Sequence, residues 1–193
     1  MNKITVTSQQ QLDSLPHDYH GRIYIKFGTP YDMAIVRRKY DFASVEALEN
    51  SSVEARGNSS VETWGNSSVV ALENSSVVAY GNSSVVARDN SSVVALENSS
   101  VEARENSSVV ALENSSVVAY GNSSVVARDN SSVEARENSS VVALENSSVM
   151  ARGNSQIGQK SDASKIKTSG NARIVRDPCS IDDGACTEQN ANI

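Results

Sequence analysis

From Val45 to Val149 a valine recurs every eight residues without interruption, and two positions after each stands an alanine or, once, Thr63. Asparagine keeps the same beat from Asn50 to Asn154. The repeating unit is (Gly/Glu/Asp)-Asn-Ser-Ser-Val-(Val/Glu)-Ala-(Leu/Arg/Tyr/Trp). Helix suits it badly. Asn, Ser and Val are weak helix formers, and eight residues overshoot two turns, so the apolar block would wander around the axis. Strand suits it well, because eight is even and every copy then presents the same side chains to the same face. The sixth position accepts Val or Glu and the eighth accepts Leu, Arg, Tyr or Trp, so both must meet water. The third, fifth and seventh (Ser, Val and Ala) then point inward. A fixed short period of such strands predicts an all-β, single-chain β-solenoid, a stack of coils.

Two octads closing a flat 16-residue coil are favoured over three closing a 24-residue triangle. A triangular coil leaves a wide centre that calls for large side chains, whereas Ser, Val and Ala fit between two sheets at close range. The Gly/Glu/Asp-Asn pair forms the corner. Asn is expected to take the left-handed backbone there, as Gly also can. Asn at identical corners is expected to stack into a ladder of amide hydrogen bonds along the axis.

The ends differ from the repeat. Residues 1–42 read as a small α+β cap: a strand at Ile4–Thr7, a short helix capped by Ser8 and ended by Pro16, a strand through Ile23, Ile25 and Phe27, a turn at Gly28–Pro30, and a strand from Met33 to Val36. Such a segment covers the first open edge of the stack. Residues 43–176 form the octapeptide-repeat solenoid, with Ile157, Ile166 and Ile174 carrying the valine beat onward past one extra residue. Residues 177–193, with Pro178 and several Asp, Asn and Gly, read as a flexible tail.

Gly170-Asn171-Ala172-Arg173-Ile174 resembles the units of bacterial repeat proteins built on Gly-Asn-Ala-x-Val, which implies a β-helix. In period and two-sided logic the octads also resemble the 16-residue repeats of ice-nucleation proteins and the octapeptide prisms of phage cell-puncturing needles. Here the outward rows carry Ser, Val or Glu, and Leu or Arg.

Charge narrows the functions. The chain carries a net charge of −6, and Val45 to Ser155 hold 14 acidic against 6 basic residues, a balance that repels nucleic acid. No apolar run approaches the roughly 20 residues that span a bilayer. The first residues carry no secretory pattern, so a cytoplasmic location is expected.

Residues 69–93 and 109–133 are identical, a displacement of five octads. Five divides by neither two nor three, so the copy must land on a different face. Octads that tolerate this are interchangeable, which argues against a defined active site on the shaft. No catalytic residue, metal ligand or cofactor site is expected. His17 and His20 read as exposed turn residues, Cys179 and Cys186 as free thiols, and Arg37-Arg38-Lys39 as a solvated strand end.

In the flat coil Val78, Tyr80, Val94, Leu96, Val110, Leu112, Val126, Val142 and Leu144 share one outer face. Contiguous apolar patches of this kind are rare on monomers. Burying about 400 Å² of such a face at about 25 cal/mol per Å² gains roughly 10 kcal/mol for each partner, before the costs of association. The expectation is a non-enzymatic structural or scaffolding protein that self-associates as a lateral dimer or filament. The alternative is a binding module presenting side-chain ladders to a periodic ligand: a polysaccharide, ice or a fibre.

Overall fold

The computed structural model describes residues 2–29, 33–36, 42–159 and 163–176. The chain opens with β1 (Lys3–Val6), α1 (Gln9–Ser14), β2 (His20–Ile25), β3 (Ala34–Val36) and β4 (Phe42–Ala47). Four-residue strands then follow at eight-residue steps: β5 (Ser52–Ala55), β6 (Ser60–Thr63), β7 (Ser68–Ala71), β8 (Ser76–Ala79), β9 (Ser84–Ala87), β10 (Ser92–Ala95) and β11 (Ser100–Ala103). The run continues through β12 (Ser108–Ala111), β13 (Ser116–Ala119), β14 (Ser124–Ala127), β15 (Ser132–Ala135), β16 (Ser140–Ala143) and β17 (Ser148–Ala151). It ends with β18 (Gln156–Gln159), β19 (Lys165–Thr168) and β20 (Arg173–Arg176).

These strands form two parallel sheets. The first has eleven strands, β1 followed by the even-numbered strands in order; the second has nine, the odd-numbered strands from β19 to β3. Each strand pairs with the one 16 residues away, as Val94 does with Val78 and Val110. The fold is therefore a parallel β-solenoid with a 16-residue coil, two octads to a turn. The step grows to 17 where Ser148 pairs with Lys165 and Gln156 with Arg173, at the extra residue noted in the sequence.

The inward rows are those the alternation predicts. Val53 to Val149 meet across the middle of the coil, the alanines have no exposed surface, and the first Ser of each octad is buried beside the corner. A narrow interior is what such small residues can fill at crystal-like density. The hydroxyls of Ser51, Ser83 and Ser123 donate to the carbonyl three residues earlier at 2.6, 2.7 and 2.8 Å, tying each corner shut.

The corner differs from expectation in one respect. The left-handed residue is the one before Asn: Glu49, Glu73, Glu97 and their equivalents have φ from 52° to 65°. Among the described asparagines only Asn90, at φ 65°, joins them. Asn–Asn amide bonds form between residues 66 and 82, 138 and 154, and 154 and 171, at 3.2–3.4 Å. Among the described residues these make separate links, and carboxylates, considered below, join more of the corners.

At the first end, β1 and β2 hydrogen-bond into the first sheet and β3 into the second. The Ser8 side chain caps α1, as read from the sequence. The helix buries Leu12 and lies against β1 and β3. Gln9 extends its side-chain amide along the outer edge of β3, donating to the Ile35 carbonyl at 2.9 Å and accepting from the Ile35 N–H at 2.8 Å. One amide thus satisfies backbone groups that an unpaired edge would otherwise offer to another chain. The Arg37–Lys39 run, Pro30, Cys179, Cys186 and residues 177–193 lie outside the described residues. Among the described residues no helix is long and apolar enough to cross a membrane.

Candidate functional site

The 16-residue coil sends alternate octads to alternate sheets, and this sorts the outward side chains into two unlike faces. On the first sheet Val78, Val94, Val110, Val126 and Val142 lie in register on neighbouring strands β8 to β16. They line a shallow groove of about 500 Å³, with the outward serines of the same strands beside them. Tyr80, Leu96, Leu112 and Leu144 follow one residue past the ends of β8, β10, β12 and β16, each half-buried. All nine residues singled out from the sequence therefore stand along one side of the stack. Trp64 extends the row, its ring stacked on Tyr80 with centroids 4.0 Å apart and planes within 9°. Toward the first end the face turns polar at Glu62 and at Glu46, which is buried beside Arg22 at 3.4 Å. Toward the last end it presents Gly158, then Val175 and Arg173.

The second sheet is charged. Glu54, Glu102 and Glu134 each pair with the arginine two residues on, Arg56, Arg104 and Arg136. Arg152 also approaches Glu134, at 3.6 Å. Tyr120 lies between two guanidinium groups, Arg104 at 5.7 Å and Arg136 at 5.1 Å from the ring centre, and its hydroxyl accepts from Arg136 at 3.1 Å. The hydrogen bond from Glu134 raises the Arg136 pKa above its ordinary value, as the one from Glu54 does for Arg56. These pairs are solvent-facing, so each adds little to stability and serves chiefly to set the character of the face.

Sequence reasoning missed this charged face, although a signal for it exists. The three Val-Glu-Ala-Arg octads begin at Val53, Val101 and Val133, separated by 48 and 32 residues. Both intervals are multiples of 16 and only one is a multiple of 24, so charge pairing alone selects the two-octad coil and puts all three on one sheet.

The corners carry the third feature. The carboxylate of Glu97 accepts from the N–H of Gly81 at 2.9 Å, that of Glu113 from Glu97 at 3.1 Å, that of Asp129 from Glu113 at 3.4 Å, and that of Glu145 from Asp129 at 3.0 Å. At the opposite corner Glu137 accepts from Gly121 at 2.9 Å. This accounts for an acidic residue in a left-handed position that Gly would adopt without strain. The left-handed backbone costs about 1 kcal/mol or slightly more, and a hydrogen bond to a charged acceptor offsets a similar amount. A neighbouring stretch of the second corner places Asp89 against Glu105, and the hydrogen bond they share, reinforced by their repulsion as anions, raises the Glu105 pKa.

His17 lies exposed between α1 and β2, and His20 opens β2. Among the described residues no three His, Cys, Asp or Glu side chains are grouped to hold a metal ion. Compared with known proteins, the chain matches no family model, no curated protein and no solved structure.

Proposed function

We propose that the protein is a non-enzymatic scaffold, a stiff β-solenoid that associates with a second copy through the apolar outer face of its first sheet. The observation that supports this most is the asymmetry of the two faces. Val78 to Val142 run through five successive strands of the first sheet without a charge in their row, whereas the equivalent row of the second sheet is interrupted by Glu54, Glu102 and Glu134. A surface whose only task is solubility has no reason to segregate in this way.

Light scattering across a concentration series tests the proposal. A mass that rises from one chain toward two in the micromolar range is expected, and Val110→Lys should hold the protein at one chain without unfolding it. A single-chain mass throughout would refute the scaffold reading. It would favour the second reading, presentation of in-register rows to a periodic polymer, which the 16-residue pairing of like residues supports.

A further inference from the structure

Two copies can lay first sheet against first sheet with their axes parallel or antiparallel. A two-fold along the solenoid axis sets each coil against its own counterpart, so Glu62 meets Glu62 across the interface and Glu46 meets Glu46. A two-fold running along the strands exchanges the ends instead and keeps each row opposite itself. The ends of this face differ in charge: β6 presents Glu62, and β20 presents Arg173. Parallel packing therefore opposes like charges at both ends, and antiparallel packing opposes unlike ones.

Resting on the association proposed above, we infer that the occupant of this face is a second copy of the chain packed antiparallel, about a two-fold lying between β12 and β14. In that register Val110 meets Val126 and Val94 meets Val142. Val78 meets Gly158, where the missing side chain leaves room. Glu62 meets Val175 with Arg173 two residues away, within reach of a long side chain. Arg128, the one charged residue among those closing β8 to β16 on this side, stands at the rim, where charge is ordinary in an interface.

The dimensions suffice for a specific contact. Eight strands, from β6 to β20, at about 4.8 Å each span about 38 Å. Five residues across at about 3.3 Å give about 16 Å. The product, roughly 600 Å² per copy, meets the lower bound of stable interfaces, about 1,200 Å² in total. Displacing the register by more than a coil or two shortens the overlap below that bound.

Cross-linking tests both orientation and register, in a background with Cys179→Ser and Cys186→Ser so that only introduced thiols react. A bis-maleimide with a span of about 8 Å bridges opposed residues on sheets packed about 10 Å apart but not residues several coils removed. The double variant Val94→Cys/Val142→Cys should be captured as a covalent dimer. Val78→Cys should not, because its two copies stand five coils, about 24 Å, apart. Capture of Val78→Cys would establish parallel packing and overturn the inference. So would failure to capture the double variant in a sample that light scattering shows to be dimeric. A single-chain mass for both variants and for the unmodified chain would instead refute the association itself.

Discussion

Val109 and Val110 are the same residue, adjacent in the chain and on opposite faces of β12, so truncating each in turn separates interior from exterior with chemistry held constant. Val109 is 2% exposed and sits among the valines and alanines between the sheets. Val109→Ala removes two carbons, about 1.6 kcal/mol of transfer free energy at about 0.8 per group. The flanking coils hold the space open, adding roughly 1 kcal/mol for about 50 Å³ of cavity at about 24 cal/mol per Å³. The expected loss is about 2.5 kcal/mol, against about 0.5 kcal/mol for Val110→Ala, whose methyl groups already meet water. With a urea slope of about 2 kcal/mol per molar, the midpoints should fall by about 1.2 M and about 0.2 M. Circular dichroism at a concentration where the protein is monomeric gives both numbers. Equal shifts, or a larger one for Val110→Ala, would refute the assignment of the valine row to the interior.

Further outcomes follow from the corners and the first end. Glu113→Ala keeps a side chain in left-handed backbone, φ 58°, and loses the bond from the Glu97 N–H, so it should cost about 1–2 kcal/mol. Glu113→Gly relieves the strain as it loses the bond and should lie within about 0.5 kcal/mol of the parent; urea midpoints that rank the two the other way would exclude the compensation. Glu105 binds its proton more tightly in the folded chain than in the unfolded one because of Asp89. Its contribution is then present in full below the ordinary Glu range and is lost as pH rises through the elevated native value. Glu105→Gln, which keeps a donor for Asp89 at every pH, should flatten the fall in midpoint above about pH 4.5, and parallel pH profiles would contradict this. Leu12→Asp should unseat α1 from β3 and free the edge that Gln9 covers. Turbidity should then grow with time at concentrations where the parent stays clear, and a clear, folded variant would show that α1 does not guard the edge.

Much of the fold is legible in the octad because its constraints are local and repeated. An even period keeps side-chain orientation, intolerant positions mark the interior, and small interior residues limit the spacing of the sheets. Ser8 and Gln9–Ser14 are equally legible, since a cap and a short helix are decided within a few residues. The corner was less so. Asn and the residue before it are both compatible with a turn, and the choice depends on the N–H of the preceding coil, 16 residues away, to which a Glu or Asp can bond. The ion pairs of the second face required knowing which octads are neighbours.

The identical blocks 69–93 and 109–133 show where each kind of determination stops. By itself the sequence determines that both blocks form strands with Val and Ala inward and Ser at the corner, because alternation and residue size operate within each octad. Forty residues are two and a half coils, however, so the same letters enter opposite sheets. Tyr80 stacks on Trp64 along the apolar face, and Tyr120, its equal in local sequence, lies between Arg104 and Arg136 on the charged one. The tertiary structure alone decides this, because a residue's neighbours along the axis come from the coils above and below it, and coil parity sets which octads those are.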